Sequence, residues 1–309
     1  MTSTRAILIS IAVAGVLLSG CGAGPATNSA ATGAGPASAA DPQLDGSGPQ
    51  SAAKSAVGVA QEIAARWAAP GAPAAALGTP IEFRAIDYTA IVTDPGASDG
   101  YTAFVTTRRT TLVTPASAAT INASNGASPR FATPADQAMW QSSGRPALAQ
   151  APATGRTQTV PTGQFTFLPQ GSALTYQQAT ALPAEQGKLA AAIVEHLTPY
   201  SGPHPPASLE LKQVAYLIAT APLSDAVRSA AWQVVASLPG LAICQNPSGP
   251  ATPRAIDLCI DSAGDETLVS VNPDTGTILV ITDRLMQTSR MYPHVAAGTV
   301  VGSSTFLTV

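Results

Sequence analysis

From residue 80 onward the spacing of apolar residues changes twice, and the order of those changes restricts the fold more than any other feature. From Pro80 to Thr93 and from Tyr101 to Val113 the residues are rich in β-branched and aromatic types and alternate, Phe83 and Ala85 against Arg84, Ile86, Tyr88 and Ile91. A period of two is that of a half-buried strand, and the two segments are expected to pair as a hairpin across Asp94–Gly100. After residue 182 the period becomes helical. Pro183 opens a helix over Ala184–Leu197, Pro206 opens one running to Ala219, and Ser224 caps a third that reaches Leu238 and stops at Pro239-Gly240. Beyond Gly240 strands are expected at 241–245, 255–261, 266–272, 277–283 and 299–308, with Asn272–Gly276 as a tight reversal. An earlier helix is expected where Val57, Ala60, Ile63, Ala64 and Trp67 recur before Pro70-Gly71, and a short strand near Gln164–Leu168. The polar stretch between the first hairpin and that strand has little periodicity.

Strands, then helices, then strands imply an α+β fold, in which an antiparallel sheet, free to curve, carries three consecutive helices packed on one side. A parallel nucleotide-binding fold is excluded by the absence of Gly-x-Gly-x-x-Gly between a strand and a helix and of Gly-Lys-Ser/Thr.

The N-terminus makes a different statement. Arg5 precedes an uncharged run, Ala6–Leu18, that is too short to cross a hydrocarbon core of about 30 Å as a helix. Such a run is an export signal, here residues 1–20. It ends in Leu18-Ser19-Gly20-Cys21, which resembles the bacterial lipobox, where small residues admit a peptidase and the cysteine thiol accepts a diacylglyceryl group. Cys21 is therefore the expected lipidation site, and two acyl chains hold a protein stably on a bilayer. Residues 21–50, dominated by Ala, Gly, Ser, Thr and Pro, cannot offset their ordering entropy by burial and are expected to tether a single exported domain, residues 51–309.

The chain of 309 residues is 45% hydrophobic and 11% charged, enough to bury a sizeable core. A formal charge of −3, without Lys/Arg clusters, leaves no electrostatic footprint for nucleic acid. With Cys21 assigned to lipid, Cys244 and Cys259 are expected to form a disulfide in an oxidising compartment, bridging two strands around the reversal Asn246–Pro250.

No catalytic residues, metal ligands or cofactor are expected. Gly96-Ala97-Ser98-Asp99-Gly100 matches a nucleophile-elbow pattern in letters only, because a strand and not a helix follows it. His196 reads as a helix-terminal residue, while His204 and His294 read as loop residues without neighbouring ligands. Asp261, Asp265 and Glu266 read as turn residues, Arg108-Arg109 as a solvated strand edge, and Trp67, Met139, Trp140 and Trp232 as core.

Three local patterns add a resemblance. They are Asp136-Gln137-Ala138-Met139-Trp140 leading to Gly144-Arg145-Pro146-Ala147-Leu148; Leu182-Pro183 before Lys188-Leu189; and Ala230-Ala231-Trp232 through Leu238-Pro239-Gly240, followed by Val271-Asn272-Pro273-Asp274-Thr275-Gly276. In this order they resemble a family of actinobacterial exported or membrane-anchored proteins with no established activity, which supplies no catalytic residues to carry over. At the level of fold alone, helices followed by a sheet on a lipoprotein are similar to lipoprotein-carrier and stress-sensor domains, whose sheet and helices enclose an apolar cavity. The expected function is that of a non-enzymatic binding or regulatory module, lipid-anchored on the outer face of the cell membrane, with an apolar ligand or an envelope protein as partner. The alternative is a cell-envelope hydrolase whose site is built from distant residues.

Overall fold

The computed structural model describes residues 55–69, 80–93, 100–124, 128–148, 156–161, 165, 167, 174–201, 204–244, 254–262 and 264–307. The export signal, Leu18, Ser19, Gly20, Cys21 and the tether lie outside the described residues, as do Ser98 and the reversal at 246–250. No helix among the described residues is long and apolar enough to cross a membrane.

The fold is α+β. Helix α1 (Ala56–Ala68) is followed by β1 (Ile81–Thr93), β2 (Tyr101–Val113), β3 (Ser117–Ser124), β4 (Arg130–Phe131), α2 (Pro134–Ser142) and β5 (Arg156–Pro161). Next come α3 (Tyr176–Thr180), α4 (Gln186–Ser201), α5 (Ala207–Thr220) and α6 (Asp225–Ser237), then β6 (Ala242–Cys244), β7 (Ile256–Ser262), β8 (Asp265–Asn272), β9 (Thr277–Leu285) and β10 (Val300–Leu307). The strands make one antiparallel sheet in the order β5-β3-β2-β1-β10-β9-β8-β7-β6, with β4 paired to β2. The last strand therefore returns to the first, joining the N-terminal meander to the C-terminal one through β1 and β10.

Register decides what each face carries, because side chains alternate along a strand. Ala85 faces Arg109 and Phe306, Asp87 faces Ser304, Ser304 faces Ile281, and Ile281 faces Val269 and through it Leu258. This is the face that meets α5, which packs on β7, β8 and β9. Helix α6 packs on α1 and α4, and Trp232, 1% exposed, is the largest fully buried side chain.

Each well-capped helix starts where its sequence says it should. The Ser55, Thr133 and Ser224 hydroxyls accept N–H bonds from the first turns of α1, α2 and α6, which satisfies donors that a helix leaves unpaired. Several expectations need correction. Phe165 and Phe167 are not in a strand, whereas β3 and β5 arise from stretches read as featureless. Helix α4 continues to Ser201, so His196 lies inside it and not at its end. Strand β2 lies between β1 and β3, so Arg108-Arg109 is not on a sheet edge; Arg108 is exposed and Arg109 is half-buried.

Two of the recurring sequence patterns meet in space. Gly276, at φ 69°, closes the β8–β9 turn by accepting a conformation that L side chains avoid, and its N–H donates to the Asn272 carbonyl at 2.8 Å. A Cβ there would sit 2.5 Å from Ile63 Cγ2 and 2.9 Å from Trp67 Nε1, so the turn is pressed beneath α1 and α6. Gly276→Ala is expected to destabilise the domain by roughly 2–4 kcal/mol from strain and overpacking together; a urea-denaturation midpoint equal to wild type would contradict this packing.

Candidate functional site

Three polar constellations stand out from the apolar core. The first lies between α5 and the sheet. Ser208, Lys212, Tyr216 and Thr220 recur every fourth residue, so they share one helix stripe. Lys212 donates to Asp283 Oδ2 at 2.6 Å, and Thr267 supports the other oxygen of that carboxylate at 3.3 Å. Ser304 donates to Asp87 Oδ1 at 2.6 Å, which leaves its oxygen to accept from the Tyr216 hydroxyl at 2.5 Å. Arg109 closes the chain with two bonds to Asp87, at 2.8 and 3.1 Å. At the helix start, Ser208 donates to Ser262 at 2.9 Å.

The charges in this layer stay on. Burial favours neutral forms of Arg109 and Lys212, but the carboxylates of Asp87 and Asp283 outweigh it and hold both cations above their ordinary pKa values. Burial also raises the Tyr216 phenol, and burial together with the Asp283 charge pushes Tyr292 up to about 12. Lys212 is thus a paired ammonium, and both phenols keep their protons. The arrangement binds the helix layer to the sheet through paired charges and hydroxyls.

The second constellation was invisible as a site in the sequence. Asp136, 1% exposed, stands at the third position of α2. Its carboxylate accepts from the Thr102 N–H at 3.0 Å, the Thr133 hydroxyl at 2.5 Å and His294 Nδ1 at 3.0 Å. Burial opposes the charge on Asp136, but these three bonds outweigh it and lower its pKa. Nδ1 is committed to Asp136, and Nε2 belongs to a half-exposed ring, 52% accessible, on a residue held at φ 66°. Thr102 also donates to the Pro293 carbonyl at 3.0 Å, so the loop carrying His294 is fastened to β2 at two adjacent points. His294 was read as a plain loop residue; the available clue was Thr133-Pro134 with an acid at the third helical position. Among the described residues no serine joins His294 and Asp136 to complete a triad.

The third is the cysteine pair. Cys259 faces Ala242, and Cys244 lies two residues along the same face, a diagonal relation with Cα atoms 5.9 Å apart that brings the sulfurs to bonding distance. Glu266, read earlier as a turn residue, is buried in β8, ion-paired with Arg284, and joins the two cysteines. Asp261 faces Glu266 across the strands, whereas His204 is exposed and apart from both groups.

Of the aromatic residues, Trp232 is core, while Trp67 and Trp140 are half-buried, with Trp140 Nε1 donating to the Pro146 carbonyl at 2.9 Å. Compared with protein-family models, curated proteins and solved structures, the chain matches none.

Two outcomes test these assignments. Asp283→Ala leaves the Lys212 ammonium uncompensated and is expected to cost about 3 kcal/mol, whereas Lys212→Met with Asp283→Leu costs less; equal losses in chemical denaturation would argue against the pair. Because the Asp136 pKa is depressed on folding, its contribution is present above the ordinary aspartate value of 3.8 and is lost as pH falls through the folded value. Asp136→Asn should therefore flatten the loss of stability below about pH 4 seen in wild type, and an unchanged acid limb in pH-dependent unfolding would remove this role.

Proposed function

We propose that the chain is an exported lipoprotein, anchored through Cys21 to the outer face of the cell membrane, and that its folded domain is a non-enzymatic module that binds an envelope protein. The actinobacterial exported family suggested by its sequence patterns belongs to the same reading. So does a helical layer of α4, α5 and α6 on one side of the sheet, α5 touching the strands and the others behind it.

The observation that carries the reading is the sheet face turned away from α5. Ile121, Thr110, Arg84 and Leu307 form one row across β3, β2, β1 and β10, and Leu112 sits one step along β2 on the same face. Leu112 and Ile121 are 42% exposed and Leu307 is 43% exposed. Large aliphatic side chains grouped in this way on an exposed face are a mark of association. Arg84 and Glu82, paired across 2.7 Å, supply a polar rim.

A protein partner is favoured over an enclosed lipid because of what fills the interlayer space. A carrier domain needs an apolar cavity between helices and sheet. Here Lys212, Asp283, Tyr216, Ser304, Asp87 and Arg109 occupy that position, and an acyl chain there would strand charged groups without water.

The test is a photo-crosslinking amino acid placed at Ile121 in living cells, with Gln61 on α1 as the control position. A discrete conjugate with one envelope protein at 121, lost on adding Leu112→Asp and absent at 61, is expected; equal labelling at both positions would count against the surface. One observation favours a second reading, that of a hydrolase: the His294–Asp136 pair with its half-exposed ring. It predicts turnover of ester or amide probes that His294→Ala abolishes and Leu112→Asp spares, and the absence of turnover in wild type would reject it.

A further inference from the structure

We propose that Cys244, Cys259 and Glu266 form a redox-gated site for a thiophilic divalent cation such as Zn2+, closed while the cysteines are bridged and open once they are reduced. The two sulfurs and a Glu266 carboxylate oxygen all lie within 4.8 Å of one another. In a tetrahedral zinc site, with Zn–S near 2.3 Å and Zn–O near 2.0–2.2 Å, neighbouring ligand atoms stand about 3.5–3.8 Å apart. The three groups therefore need only side-chain movements to meet one ion. Thiolates and a carboxylate are also a donor set that zinc accepts.

Glu266 is the observation that turns a disulfide into a candidate site. Its side chain is 4% exposed, and a buried carboxylate beside a disulfide does nothing for the bridge itself. Arg284 compensates its charge, yet Oε2 and Arg284 Nε both lack a hydrogen bond of ordinary geometry. A buried carboxylate ion-paired to Arg284, with an oxygen within 4.8 Å of two sulfurs, is a ligand in waiting. Cys259 is 2% exposed, whereas Cys244, on the edge strand β6, is only half-buried. That edge gives a reductant and the ion their way in and leaves the fourth coordination position to water.

The chemistry balances in two steps. An external dithiol passes two electrons and two protons to the Cys244–Cys259 bond, becomes a disulfide itself, and leaves two thiols. The cation then displaces both thiol protons and takes a lone pair from Glu266, giving a neutral core of one divalent ion and two thiolates beside the Glu266–Arg284 pair. The bound ion closes the same loop that the disulfide closed, with a sequence separation of 15 residues, so the β6–β7 corner keeps its cross-link in both states.

The test is titration of the full folded chain with Zn2+ in competition with a chromophoric chelator, oxidised and after treatment with a non-chelating phosphine. One Zn2+ per reduced chain, and none per oxidised chain, is expected. Loss of a supporting group around a metal weakens binding by about 10–100-fold, so Glu266→Gln should weaken it at least that much. Arg284→Gln, which frees the carboxylate, should tighten it. Reduced wild type that binds no better than the Cys244→Ser/Cys259→Ser variant, or that unfolds by circular dichroism before binding, overturns the site. Equal affinities of wild type, Glu266→Gln and Arg284→Gln remove Glu266 from it.

Discussion

The contact between α5 and the sheet is what the remainder of the architecture rests on. Helix α5 is buried nearly all round, so it has no amphipathic solution available, and a purely apolar helix in that position could slide against the strands. The Lys212–Asp283 pair and the Tyr216–Ser304–Asp87–Arg109 chain remove that freedom, because each donor is bonded to a fixed acceptor on the sheet. They also span the seam of the topology: Asp87 is on β1, Ser304 on β10 and Asp283 on β9, so α5 clamps the N-terminal meander to the C-terminal one. A buried ion pair is a poor source of stability when set against an apolar replacement, but a strong source of register.

The same clamp shapes the functional reading. Ion pairs and bonded hydroxyls make the interlayer space polar at this level. On the proposed reading, recognition falls to the exposed rows of β1, β2, β3 and β10. Away from that face, side chains tie chain segments to the sheet at two further places, His294 on Asp136 and Cys244 on Cys259.

How far the sequence disclosed this depended on whether the signal was local. The β1–β2 hairpin, α1, the two helices α5 and α6, and the strands β7 to β9 were legible because periodicity, capping serines and the Asn272–Gly276 turn are all written within a few residues. Strands β3 and β5 were not. Ser117–Ser124 holds one large apolar side chain, Ile121, and becomes a strand because β2 and β5 offer ladders on both sides. Helix α2 was missed although Thr133-Pro134 announces it, since its exposed face broke the apolar period. The site residues were harder still: Lys212 and Asp283 are 71 positions apart, and Asp136 and His294 are 158 apart. Only the sheet order brings them together, and that order hinges on β10 returning to β1, which no local pattern encodes.

The central proposal is that this is a lipid-anchored domain whose interior is filled and whose partner lies outside it. Intact mass spectrometry of the protein from its native membrane, under denaturing and native conditions, tests it most directly. The account predicts one covalent diacylglyceryl adduct on Cys21 under both conditions and no additional lipid under native conditions. A chain without the adduct contradicts the anchor, and a lipid retained only in the native state contradicts the filled interior.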